Sequence, residues 1–104
     1  MGSKNAPLTE AVYYILLSLY TPLHGYGIMQ NVKELTNGRL NIGAGTLYGA
    51  LNTLLSKGYI VEHKSSDPAK KEYLITDEGK FAVSTELARL KELVQNGEKI
   101  LGGK

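Results

Sequence analysis

The sequence contains no cysteine. That absence excludes disulfide scaffolds, thiolate zinc sites, iron–sulfur clusters and thiol nucleophiles together, and it is compatible with a reducing cytoplasm. Tryptophan is missing too, which removes the largest stacking side chain from any aromatic ligand site. Apolar runs such as Val12 to Leu17 fall far short of the roughly 20 residues a membrane span needs. No charged segment leads into an apolar one, so a cleaved secretion signal is not expected either. A dominant charge is also lacking: 12 Lys/Arg stand against 10 Asp/Glu, a formal net charge of +2. Bulk charge therefore selects no partner.

What is present is the composition of one small globular domain. The 104 residues are 42% hydrophobic and 21% charged, a balance unlike that of a disordered chain or a coiled-coil rod. Charge is unevenly placed along the chain. Between Arg39 and Thr76 five basic residues stand against three acidic ones, with His63 as a further cation when protonated. Between Asp77 and Leu101 four basic residues stand against five acidic ones. The middle is mildly basic and the C-terminal stretch is not.

Periodicity divides the chain into helices and a hairpin. Leu8, Val12, Ile15, Leu16 and Leu19 form a helical stripe ending before Pro22, with Pro7 suited to the first turn. Ile28, Met29, Val32 and Leu35 face inward on a second helix over 25–36, which stops at Asn37-Gly38. Leu47, Leu51, Leu54 and Leu55 mark a third over 44–57, closed by Gly58. Residues 59–64 and 71–76 are rich in β-branched and aromatic side chains around a polar turn, which predicts a β-hairpin. Thr76, followed by Asp77 and Glu78, reads as the N-cap of a last helix that reaches Leu101, about 37 Å at 1.5 Å per residue.

That helix repeats its apolar residues at four-three spacing through Val83, Leu87, Leu90, Val94, Gly97 and Leu101, the pattern of a coiled-coil seam. Leu93 and Ile100 widen the face. A helix of this length overhangs a three-helix core, so the expectation is a homodimer through Val83, Leu87, Leu90, Val94 and Leu101. The fold class expected is mainly α with a small β-hairpin: a winged helix-turn-helix over 1–76 and a C-terminal dimerisation helix over 77–104, in one structural unit. In such modules the third helix enters the DNA major groove and the hairpin, or wing, reaches the flanking backbone. The outer face of the third helix is small and polar and carries no carboxylate, which a phosphate-lined groove tolerates.

Chemistry-bearing constellations are scarce. His24 and His63 have no carboxylate at metal-ligand spacing, Gly43-Ala44-Gly45 lacks the lysine of a phosphate loop, and no Ser/His/Asp or paired-carboxylate arrangement stands out. No enzyme activity, metal or cofactor is expected. His24 with Gly25 reads as a turn into the second helix, and Tyr26 as a residue packed where the first two helices meet.

Four segments carry a family resemblance: His24-Gly25-Tyr26-Gly27-Ile28; Gly45-Thr46-Leu47-Tyr48 with Leu51 and Leu54; Gly58-Tyr59-Ile60; and Tyr73-Leu74-Ile75-Thr76-Asp77-Glu78-Gly79. In this order and spacing they resemble the PadR family of bacterial transcriptional regulators, over nearly the whole chain. The length is similar to that of the short subfamily, in which one C-terminal helix makes the dimer. The resemblance implies a cytoplasmic, homodimeric, sequence-specific DNA-binding repressor acting on double-stranded DNA with an inverted-repeat operator.

On that reading Tyr48 is the first residue to assign to DNA, with Thr46, Gly49 and Asn52 on the same helix and Lys64, Lys70 and Lys71 on the wing. Tyr48 also fits a ring bracing the third helix, and Thr46 and Asn52 fit plain surface. Lys64 is the weaker wing contact because Glu62 lies two residues away on the same strand face. The wing carries Pro68-Ala69-Lys70-Lys71 where the family more often has arginines, so it keeps charge but loses the guanidinium fork. Some short PadR proteins hold planar aromatic drugs between subunits. The places matching that pore are Tyr13, Tyr14, Leu90 and Val94, with Leu90 where strong pore binders have tryptophan. The implied effector is a small planar aromatic compound, neutral or weakly acidic; the alternative is a closed apolar dimer core. The alternative to DNA binding is a winged-helix module that holds a protein partner with the same helix and wing.

Overall fold

Proline and glycine punctuate the chain, and the elements form between them. The computed structural model describes residues 7–102; the outermost ends of the two segments expected from the sequence, 1–6 and 103–104, lie outside the described residues. Helix α1 spans Glu10–Ser18, with Thr9 as N-cap accepting the Val12 N–H at 3.2 Å. Pro7 therefore precedes the cap instead of entering the first turn, because Thr9 offers an oxygen to an otherwise unpaired N–H and proline has none to offer. Ile15, Leu16 and Leu19 are fully buried.

Pro22 holds Thr21 out of the helical region, and the extended chain that follows, Leu23–His24, forms a short strand β1 that the sequence pattern does not announce. Helix α2, Gly25–Leu35, begins at His24, whose Nδ1 accepts the Gly27 N–H at 3.1 Å. It stops where Asn37 and Gly38 take positive φ, 53° and 80°. Ile28 and Val32 are buried, whereas Leu35 is 53% exposed, contrary to its place in the apolar stripe. It is the last residue of α2.

Helix α3 spans Ala44–Lys57, the range expected, with Leu47, Leu51 and Leu54 buried and Gly58 as a left-handed cap at φ 77°. Strands β2, Ile60–His63, and β3, Glu72–Ile75, form the hairpin. The sheet order is β1-β3-β2, all antiparallel, with Tyr73 opposite both Leu23 and Glu62. Ile60, Tyr73 and Ile75 turn inward onto the helices.

Helix α4 spans Asp77–Leu101. Its cap, Thr76, accepts the Gly79 N–H at 3.1 Å and donates to the Gly58 carbonyl at 2.6 Å, tying the ends of α3 and β3 to the start of α4. Gly79 is buried so closely that a Cβ there would lie 2.2 Å from the Tyr59 carbonyl oxygen. Farther along, Val83 joins the core and the buried Glu86 accepts the Leu8 N–H at 3.3 Å, while Arg89 donates to it at 2.6 and 3.2 Å. Beyond Arg89 the helix leaves the domain, and the molecule is 56 Å along its longest axis.

Candidate nucleic-acid interface

The leucines of α3 fix which of its sides faces out. With Leu47, Leu51 and Leu54 buried, Gly45, Gly49 and Ser56 form the exposed ridge, and a Cβ on Gly45 or Gly49 would meet nothing within 4 Å. A ridge without bulk can approach another surface closely. Tyr48 and Asn52 lie on the flank facing the wing, where they border an open groove of about 670 Å³. Its other walls are His24 and Tyr26 at the start of α2 and Lys70 and Lys71 on the wing.

Four of the residues expected to touch DNA are therefore brought together: Tyr48, Asn52, Lys70 and Lys71. Thr46 is exposed on α3 but outside this groove. Gly49 borders a smaller groove of about 290 Å³ on the opposite flank of α3, beside Thr53 and Lys57. Lys64 is exposed past the end of β2 and borders neither.

Local hydrogen bonds shape the wing tip. Ser65 Oγ accepts the Asp67 N–H at 3.1 Å, Asp67 Oδ1 accepts the Ala69 N–H at 3.0 Å, and the Asp67 carbonyl accepts the Lys70 N–H at 2.9 Å. Such an Asx turn presents Lys70 and Lys71 with less backbone freedom to lose on binding. Glu62 lies 3.5 Å from Lys71 and not beside Lys64. Both partners are exposed, so the pair contributes little to stability and leaves Lys71 available to a phosphate. His63 lies 3.5 Å from Glu72, and Glu72 sits opposite His24 on its other side, so one rung of the sheet holds both histidines of the chain. Among the described residues no group of three His, Asp or Glu side chains is placed to hold a metal.

Tyr26 differs from its expected place. It does not pack between α1 and α2; it is 63% exposed at the mouth of the groove, its hydroxyl accepting from Gln30 Nε2 at 2.6 Å. As the second residue of α2 it borders the same groove as Lys70 and Lys71 of the wing.

The surface of α4 corrects the expected seam at its first position. Val83 is buried against its own domain and is not a free interface residue, because the first two turns of α4 lie on the core. Leu87, Val94 and Leu101 are exposed and Leu90 is half-buried, with Leu93 and Ile100 adding exposed apolar surface. On α1, Tyr13 and Tyr14 are half-buried and meet edge to face, ring centroids 6.0 Å apart. Burial, then the nearby Glu86 charge, pushes the Tyr13 hydroxyl pKa up. Arg89 above all holds the Glu86 carboxyl below the usual range, against the effect of its burial. Glu86 is thus a committed carboxylate beside Tyr13, not a spare counter-charge.

A three-helix core with a small antiparallel sheet, its hairpin standing beside an outward helix free of carboxylates, defines the winged helix-turn-helix class. Comparison with known proteins narrows this. The model of the transcriptional regulator PadR-like family matches residues 14–85, and the chain belongs to that family. It is a regulator and not an enzyme. Among solved structures it is similar to a PadR family transcription regulator from hypervirulent Clostridium difficile R20291, with TM-score 0.77 and 23% identity over 89% of this chain and 99% of the other. It is similar as well to a PadR family transcriptional regulator from Eggerthella lenta DSM 2243, with TM-score 0.71 and 28% identity over 86% and 80%. A third, Bacillus subtilis PadR in complex with operator DNA, has TM-score 0.66 and 28% identity over 78% of this chain and 48% of the other. No curated protein sequence matches the chain. Among the described residues no helix is long and apolar enough to cross a membrane.

Proposed function

We propose that this chain is a homodimeric, sequence-specific DNA-binding repressor of the short PadR type. Helix α3 enters the major groove, and the wing lysines reach the flanking phosphates. The observation that carries this reading is the groove itself, with Tyr48 and Asn52 of α3 facing Lys70 and Lys71 across it. Small residues on the α3 ridge permit close approach, and the absence of carboxylate from α3 avoids repulsion with phosphate. The relation to Bacillus subtilis PadR, whose structure holds operator DNA, supports the same use of the groove. Thr46 and Gly49 contact DNA from the ridge and its far flank, and Lys64 adds a peripheral charge. The exposed apolar face of α4 through Leu87, Leu90, Val94 and Leu101 joins two copies, so two α3 helices read an inverted repeat. A planar aromatic effector, neutral or weakly acidic, lodges between subunits against Tyr13, Tyr14, Leu90 and Val94. It favours release if it binds the DNA-free dimer more tightly, since equal affinity for both states shifts nothing.

The test is a titration with DNA from immediately upstream of the chain's own gene, repeated across salt concentrations. Lys70→Ala with Lys71→Ala should weaken binding to all sequences alike and flatten the slope of log affinity against log salt by about 0.9 per lost phosphate contact. An unchanged slope would remove the wing from the interface, and wild-type protein without affinity at low salt would favour the protein-partner module. In the same titration a planar aromatic effector lowers the affinity; a panel of such compounds without effect would leave the α4 face as a closed dimer core.

A further inference from the structure

Gly25 opens α2, yet its backbone gives no reason for a glycine: among the described glycines only Gly38 and Gly58 have positive φ. The reason lies across the helix junction. A Cβ at position 25 would stand 2.2 Å from the Tyr48 hydroxyl oxygen and 2.8 Å from Cζ of the same ring, with Leu47 Cδ2 next at 3.4 Å. The first two distances are below any that a real Cβ contact tolerates, so the ring tip of Tyr48 lies in the space a side chain would occupy. Core packing does not require this arrangement, because Tyr48 remains 46% exposed and its outer edge borders the groove shared with Asn52 and the wing. The glycine therefore serves the orientation of a surface tyrosine.

We infer that Gly25 is a positioning residue of the DNA interface: by lacking a side chain it lets the Tyr48 ring lie across the first turn of α2, which aims the hydroxyl along the groove wall toward the phosphate backbone. A methyl group at position 25 turns the ring outward about its χ angles, into the space between Asn52 and Lys71 that DNA would fill. Every other role of Gly25 survives the change, since alanine adopts its backbone conformation freely and has a higher helix propensity. This inference rests on the DNA-binding reading of α3, and a double-mutant cycle separates the two.

The experiment measures affinity for the upstream DNA at fixed salt for wild type, Gly25→Ala, Tyr48→Ala and the double variant. The expected result is about a tenfold loss for Gly25→Ala and for Tyr48→Ala, with no further loss when Gly25→Ala is added to Tyr48→Ala. If Tyr48→Ala binds like wild type, the α3 assignment falls and takes this inference with it. If Tyr48→Ala weakens binding while Gly25→Ala is silent, or its loss simply adds to that of Tyr48→Ala, the positioning role alone is overturned. A readout independent of any variant's folding is the nuclear Overhauser contact between the Tyr48 ring protons and the Gly25 α protons in wild-type protein. Its presence is required, and its absence would refute the seat.

Discussion

Burying a carboxylate is unfavourable unless its charge and its lone pairs are both met, and Glu86 meets both conditions. It is 5% exposed, receives two hydrogen bonds from Arg89 and one from the Leu8 N–H, and so fastens α4 to the chain entering α1. Because the Arg89 hydrogen bonds hold the folded-state pKa of Glu86 below the usual carboxylate range, its stabilisation is present above the ordinary glutamate pKa and is lost as pH falls through the folded value. Glu86→Gln should therefore destabilise the protein near neutrality by about 1.5–3 kcal/mol, the range for a charged hydrogen bond. The difference from wild type should shrink as pH falls below the ordinary glutamate pKa of about 4.3. Thermal unfolding at pH 7 and pH 3, at one protein concentration, checks this; a constant difference would mean that the charge is not what matters. Little of this was legible in the sequence. Glu86 reads there as one more charge on a helix, since the Leu8 N–H that secures it comes from 78 residues away. Tyr26 and Gly25 were hidden for the same reason, because their roles depend on how α2 meets α3 and the wing.

Elements bounded by local chemistry were the readable ones. Gly43 and Gly58 bracket α3, so periodicity and punctuation agree and its range follows. The hairpin was announced by two β-rich runs around Asp67-Pro68. Strand β1 was not, because two residues show no alternation and pair only because β3 is there to receive them. Val83 continues a four-three seam in sequence, yet the domain beneath claims it, since only the distal part of α4 is free. The junction that sets the direction of α4 is tight. With the Gly79 Cα against the Tyr59 carbonyl, Gly79→Ala cannot be relieved by a side-chain rotation, because the obstructing atom is backbone. Overpacking of this kind costs about 1–3 kcal/mol. A melting curve should show a fall of several degrees, whereas an unchanged midpoint would mean that the helix start can shift freely.

On the scale of the whole molecule, apolar surface is concentrated on α4 from Leu87 onward. Leu87, Leu93, Val94, Ile100 and Leu101 are exposed, Leu101 by 89%. A monomer with such a face is poorly matched to water, and the seam spacing suits a second helix. Leu87→Lys with Leu90→Lys should give a folded monomer or an unfolded chain in analytical ultracentrifugation, where wild type should sediment as a dimer. A stable dimer of the double variant would place the interface elsewhere. In the proposed dimer, two-fold pairing would set how the α3 helices meet DNA, with half-sites one helical turn, roughly 34–36 Å, apart on one face. Hydroxyl-radical footprinting of wild-type protein on its upstream DNA tests that claim most directly. Two protected patches of equal extent, one helical turn apart and related as an inverted repeat, are expected. A single asymmetric patch, or uniform DNA cleavage at low salt, would contradict it.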